Sequence, residues 1–322
     1  AIPMLFDGPV HLQWTREDDF AYDYIRPGAF QMLKGAVDKE GKISAWQNHV
    51  IAYSPDGKAP IRSGGMGANF FPAGLVSNLR YGQSLISPFG TPTGSWRAPG
   101  DNVFYFVQNT FLHELAMAAG RDHLEVLLEV LNRTDAPQAP PEPPRPGLNF
   151  TYSAKRANDV VKLAAEKAGY GKKLPQGSGL GIAFAYSHFG HAASVVEVSV
   201  DAKKHITVHK ITVAVDVGPV INMSGAENQA QGASLDALST AMGLAVDIEN
   251  GRIQQSNFNK YPMMRIRSAP PVEAFFIQTD THPTGLGEPA FPGLAPALGN
   301  AVFQATGDRI RTLPFSKAGY SI

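Results

Sequence analysis

The sequence predicts an α+β fold in two lobes, with mixed sheets and flanking helices, and three observations carry that expectation. Apolar residues recur at helical spacing in some segments and alternate, or run together, in others. The two kinds of segment follow one another without the strict alternation of a doubly wound parallel sheet. Near the middle, residues 136–147 (APQAPPEPPRPG) hold six prolines in twelve positions. Proline fixes φ and lacks an N–H, so this run should be an extended connector. It would separate a first lobe at 1–135 from a second at 148–322.

In the first lobe, residues 29–37 and 43–53 read as strands around the short loop Asp38-Lys39-Glu40-Gly41. A helix fits 102–119, with Phe104, Val107, Phe111, Leu115 and Ala118 on one face. Gly120 is a natural stop and Asp122 a natural N-cap for a second helix at 124–131. In the second lobe, 153–167 reads as a helix ending at Gly169. Strands are expected at 182–186, 194–201 and 206–215, with a tight turn at residues 202–204 joining the last two. A helix suits 226–243, and Glu249-Asn250-Gly251 marks a hairpin leading into 252–257. A strand at 275–278 and a helix at 294–306, closed by Gly307, complete the chain.

Composition narrows the function. The 322 residues carry 28 Lys+Arg against 28 Asp+Glu, without the basic excess of a nucleic-acid binder. A 43% apolar content argues against disorder. With no cysteine, the chain has no thiol nucleophile, no disulfide and no ligand for an iron–sulfur cluster. No apolar run reaches the length of a membrane-spanning helix. The N-terminal stretch AIPMLFDGPVHLQW lacks an initiator Met and a signal-peptide pattern. It looks strand-like, and the chain is expected to begin inside a larger fold.

Several catalytic patterns are missing: the phosphate-binding G-x-x-x-x-G-K-[ST], the dinucleotide G-x-G-x-x-G after a strand, and the G-x-S-x-G nucleophile elbow. His113-Glu114 begins like H-E-x-x-H, but Met117 stands where the second histidine must be. His188 and His191 could ligate a metal, yet with no third ligand nearby they read first as polar loop histidines. His205 and His209 share a face of a strand and read as solvated. The acidic run Glu17-Asp18-Asp19 reads the same way.

Two loops suggest more. In Gly94-Ser95-Trp96-Arg97-Ala98-Pro99-Gly100, an arginine and a tryptophan sit on irregular backbone just before a helix, where N–H groups and a guanidinium can meet an anion. The plain alternative is a helix-entry turn with a structural arginine. In Gly285-Leu286-Gly287-Glu288-Pro289, a carboxylate stands on a Gly-flanked, Pro-fixed loop in an apolar stretch. Dry surroundings would make it a stronger base. The plain alternative is a glutamate favouring the start of the next helix.

Taken in order, these segments resemble the molybdenum-binding subunit of the xanthine oxidase/aldehyde oxidase family, nearest to its isoquinoline 1-oxidoreductase-like branch. The matching stretches are VHLQWTREDD at 10–19, GSWRAPG at 94–100 with the following HELAMAAGRDHLE, and Val215-Asp216-Val217-Gly218. Further matches are Gln229-Ala230-Gln231-Gly232, Gln255-Ser256-Asn257-Phe258 with Tyr261-Pro262, residues 285–289, and APALGNAVFQATG at 295–307. The resemblance implies a two-lobed molybdenum-cofactor-binding fold of the molybdenum hydroxylase type. The implied activity is oxidation of an aldehyde or N-heteroaromatic substrate with water-derived oxygen.

On this resemblance Glu288 is the catalytic base. Arg97, Gln229 and Gly287 face the cofactor, Trp96 lines the substrate side, and no side chain ligates the metal directly. The implied cofactor is a molybdenum–pterin, in its cytosine dinucleotide form. [2Fe-2S] clusters belong to a small partner subunit. The family's G-G-x-F-G-type loop and M-G-Q-G segment are missing, and relatives often carry Cys where Val217 stands. The chain is therefore expected to be the C-terminal portion of the molybdenum subunit, needing a separate N-terminal chain to complete the site. Such a piece, alone, should expose apolar surface and be insoluble or partly unfolded. The other reading is a structural or binding half of the same fold that holds no molybdenum. Relatives include periplasmic and cytoplasmic enzymes, and the resemblance leans to the periplasm.

Overall fold

A computed structural model describes residues 2–133 and 152–322, so the proline-rich connector at 136–147 lies outside the described residues. The chain opens with a 3-10 turn, Ile2–Leu5, and helix α1, Arg16–Tyr22, rather than the expected strand. Thr15 makes α1 possible. Its hydroxyl accepts the Asp18 N–H while the Asp18 carboxylate accepts the Thr15 N–H, a reciprocal cap. The acidic run thus belongs to a helix N-terminus, where negative charge is favourable.

Three strands follow: β1 (Ala29–Val37), β2 (Ile43–Tyr53) and β3 (Asn78–Ile86), in the order β1-β2-β3. The first pair is antiparallel and the second parallel. β2 alternates buried and half-buried residues, and its inner row of Ile43, Trp46, Val50 and Ala52 faces the core. Helix α2 (Asp101–Ala118) crosses this sheet, with the Trp46 ring edge-on to Phe111. Gly35 leaves room for Leu115, whose methyls would lie 2.9 Å from any Cβ there. Helix α3 (His123–Leu131) starts at its Asp122 cap.

Helix α4 (Ala154–Ala168) runs from the Ser153 hydroxyl cap to Gly169, whose φ of 64° is the left-handed ending the sequence suggests. The second sheet contains β4 (Ser178–Ser187), β5 (Gly190–Val200), β6 (Ile206–Asp216) and β9 (Val272–Phe276), in that order. Only β9 is parallel to its neighbour. Between β6 and β9 lie helix α5 (Met223–Met242) and the small hairpin β7 (Ile248–Glu249) and β8 (Arg252–Ile253). Helix α6 (Leu294–Thr306) lies directly on β4. A Cβ at Gly179 or Gly181 would come within 2.1 or 2.0 Å of α6 carbonyl oxygens, so those two glycines set how closely helix and strand approach.

Buried residues form two main clusters. One joins β5, β6, α5 and α6 around Val213, Leu238, Leu298 and Phe315. The other draws Trp46, Leu112 and Val126 together with Val160, Leu180 and Ile182, from both sides of residues 134–151. This shared core fixes the loop before α2 relative to the loop before α6, and the candidate site lies between them.

Candidate functional site

Three irregular backbone segments meet at the Glu288 carboxylate. The first is the loop 94–100, where Ala98 takes φ 55° and donates its N–H to Glu288 Oε1 at 3.0 Å. The second is the tip of the β4–β5 hairpin. Ser187 pairs with Gly190 in register, leaving His188 (φ 50°) and Phe189 (φ 66°) as a two-residue turn with both centres left-handed. His188 Nε2 lies 2.6 Å from Glu288 Oε2. The third is the loop 285–288 itself, anchored where the Phe291 N–H reaches the Glu288 carbonyl. Left-handed backbone at a non-glycine residue costs on the order of 1–3 kcal/mol, and two such residues, Ala98 and His188, touch this one carboxylate. Its side chain is 30% exposed and held at both oxygens, so the dry, apolar setting expected from the sequence is replaced by a clamped one.

Arg97 ties two loops to a helix. Its Nε donates to the Gly287 carbonyl at 2.8 Å, and its NH1 reaches Asp236 of α5 at 3.4 Å. Burial raises the Asp236 carboxyl, and the Arg97 guanidinium opposes that rise. One turn further along α5, Thr240 accepts from the Trp96 indole at 3.3 Å. The Trp96 ring packs against the larger core cluster, so the structure seats it as a contact between loop and helix.

Beside Glu288 lies a cleft of about 370 Å3, lined by Val217, Asn222, Gln229, Thr284, Leu286 and Gly287 among others. Gln229 is exposed there, and a Cβ on Gly287 would stand 3.6 Å from its amide nitrogen, in ordinary contact. Gly285 has open space around it. Neither glycine has a positive φ, so nothing within this chain demands glycine at either position.

The floor of the cleft is held by Asp216, which is fully buried at the end of β6. Burial alone would raise its carboxyl. The paired bonds from Arg156, at 2.6 and 2.7 Å, together with the Gly218 N–H and the Thr279 hydroxyl, hold it below the ordinary range. The Val215–Gly218 motif is thus built around this ion pair.

The remaining sequence candidates separate. His191 does not join His188. It is buried among Tyr152, Phe184 and Tyr186, and its Nε2 accepts the Ser153 N–H that begins α4. Among the described residues no cluster of His, Asp and Glu suits a metal ion. His205 and His209 are exposed and bond to Ser321 and Ser199. The His188–Glu288 contact was not legible in the sequence, because left-handed turns are announced by Asn, Asp or Gly and this one is built from His and Phe.

Known proteins bear on this geometry. Residues 117–270 match the model of the molybdopterin cofactor-binding domain. The chain is 28% identical to the "membrane-bound aldehyde dehydrogenase [pyrroloquinoline-quinone]" of Gluconacetobacter polyoxogenes, over 96% of this chain and 42% of that protein. It is 25% identical to the isoquinoline 1-oxidoreductase subunit beta of Brevundimonas diminuta, over 96% of this chain and 38% of that protein. Its fold matches the crystal structure of quinoline 2-oxidoreductase from Pseudomonas putida 86 with a TM-score of 0.76. That match covers 94% of this chain and 62% of the other, at 13% identity. The chain therefore spans about two fifths of the length of the sequence relatives it matches.

Proposed function

From its homology to aldehyde dehydrogenase and isoquinoline 1-oxidoreductase large subunits, and its molybdopterin cofactor-binding domain, we propose that this chain forms the base-bearing wall of a molybdenum–pterin site. The enzyme would oxidise an aldehyde or an N-heteroaromatic ring with water-derived oxygen. The observation that carries this reading is the Glu288 carboxylate, fixed at both oxygens beside an open polar cleft lined by Gln229 and Gly287.

The cleft fits such a group. The free amide of Gln229 can pair with the edge of a pterin ring, which presents both donors and acceptors. Gly285 and Gly287 let the loop backbone approach it closely. Arg97 holds that loop in place through the Gly287 carbonyl. When bound, the molybdenum–pterin supplies the redox chemistry and activates the oxygen nucleophile. Glu288 then takes the proton from that oxygen, and Ala98 N–H keeps the carboxylate oriented while it does so. Trp96, wedged between loop and α5, supports the substrate side from behind.

The cytosine dinucleotide form of the cofactor and [2Fe-2S] clusters on a small partner subunit belong to the same proposal. So does a further polypeptide covering the exposed N-terminal residues, where Met4, Leu5 and Phe6 are 88%, 79% and 62% exposed. The reading is tested on the purified complex with a dye as electron acceptor. Dye reduction with an aldehyde or an N-heteroaromatic ring is expected, and failure with both classes would refute it.

A further inference from the structure

We propose that His188 is the proton partner of Glu288, a residue that takes over each proton the carboxylate collects; this rests on the reading of Glu288 as the base. Counting hydrogens along the contacts leads there. The Ser187 hydroxyl donates its one proton to Asp101 Oδ2 at 2.5 Å. The 2.9 Å contact between Ser187 Oγ and His188 Nδ1 must then use a proton on the ring, so Nδ1 carries N–H. At the other end, Nε2 and Glu288 Oε2 stand 2.6 Å apart. Two bare lone pairs do not meet at that distance, so one further proton sits between them.

On this account the 2.6 Å contact is the pair after proton uptake. Before uptake the imidazole is neutral with Nδ1–H, and Glu288 is a free carboxylate. The carboxylate takes a proton from the oxygen nucleophile and passes it from Oε2 to Nε2. The N–H bond forms as the O–H bond breaks, leaving imidazolium beside carboxylate. The side chain of His188 is 43% exposed, so that proton can leave to solvent and reset the pair. Asp101, at the first turn of α2, fixes the tautomer through Ser187. On the far side of the loop, Arg97 is occupied by Asp236 and the Gly287 carbonyl, and it leaves the Glu288 oxygens to Ala98 and His188. The strained hairpin tip has a use on this account: its left-handed backbone carries the ring that meets Glu288.

Two measurements on the intact complex test this. Diethyl pyrocarbonate acylates an imidazole only when a nitrogen is unprotonated, and peptide mass spectrometry reads each histidine separately. On the acid side of the activity profile, where the pair holds its proton, His188 should react at least about tenfold slower in the wild type than in Glu288→Gln, while the exposed His205 and His209 react alike in both. The second measurement is the pH profile of kcat in His188→Asn, since asparagine tolerates the left-handed turn. Its acid limb should move about one pH unit lower, because the carboxylate no longer shares the proton of the ring. Equal His188 reactivity in wild type and Glu288→Gln, with an unmoved acid limb, would overturn the pairing while leaving an inactive Glu288→Gln to support the base. Full activity of Glu288→Gln would overturn both.

Discussion

Glu288→Gln is expected to lower kcat roughly a thousandfold in the fully loaded complex, the scale on which a positioned general base contributes. Glutamine keeps the size of the side chain and can still accept the Ala98 N–H, so the loop 285–288 should stay where it is. What it loses is the capacity to take a proton. Because the change leaves Arg97 on the Gly287 carbonyl and Gln229 in the cleft, the content of cofactor should match the wild type. Steady-state kinetics on preparations with equal cofactor content check this. A loss of a few fold, or a loss that simply follows missing cofactor, would remove Glu288 from the chemistry.

The second large effect concerns stability, and it has a definite sign. His113 and His123 are buried with their ring centroids 4.7 Å apart, beside the Arg309 guanidinium. Burial, and then Arg309, lower His113 to about 3. Burial lowers His123 well below the ordinary imidazole range, with His113 and Arg309 adding to it, and neither of its ring nitrogens has a hydrogen-bond partner among the described residues. Burial and Arg156 likewise bring His191 to about 3. The unfolded chain binds these protons near pH 6.5 and the folded chain does not. Stability is therefore full above pH 6.5 and falls as the pH drops toward 3.

At pH 5 each of His113 and His191 costs about 2 kcal/mol, at 1.4 kcal/mol per pH unit. His123 adds to that loss, and the lowered Asp216 adds more as the pH nears the carboxylate range. Against a total stability of about 5–15 kcal/mol, this should give cooperative acid unfolding above pH 4. Circular dichroism as a function of pH measures it, and His123→Leu should move the midpoint lower. A fold stable at pH 3, or a midpoint indifferent to His123, would contradict the assignment.

Much of the fold was legible because its signals are local. Ser153 and Gly169 bracket α4, Asp122 starts α3, and Asn250 and Gly251 take the positive φ values of a tight hairpin, as their residue types suggest. What was missed depends on distant partners. β3 includes Arg80, Gly82 and Gln83 and lacks a clean alternation; it is a strand because β2 pairs with it along its whole length. α1 hides in an acidic run that only its Thr15 cap explains. β4 begins four residues before the expected strand because Gly179 and Gly181 pack under α6 rather than ending anything.

The site divides the same way. Glu288 and Arg97 stood out from their loops, and the fold brings those loops together, with the Ala98 N–H on Glu288 Oε1 and Arg97 on the Gly287 carbonyl. The partner of Glu288 stayed hidden, since a His-Phe turn carries no sequence signature of a turn.

The most direct test of the central claim is the molybdenum and pterin content of the native complex containing this chain. The account predicts about one molybdenum and one pterin per chain, retained in Glu288→Gln. A complex that oxidises its substrate with neither present, and with activity following pyrroloquinoline quinone instead, would contradict it.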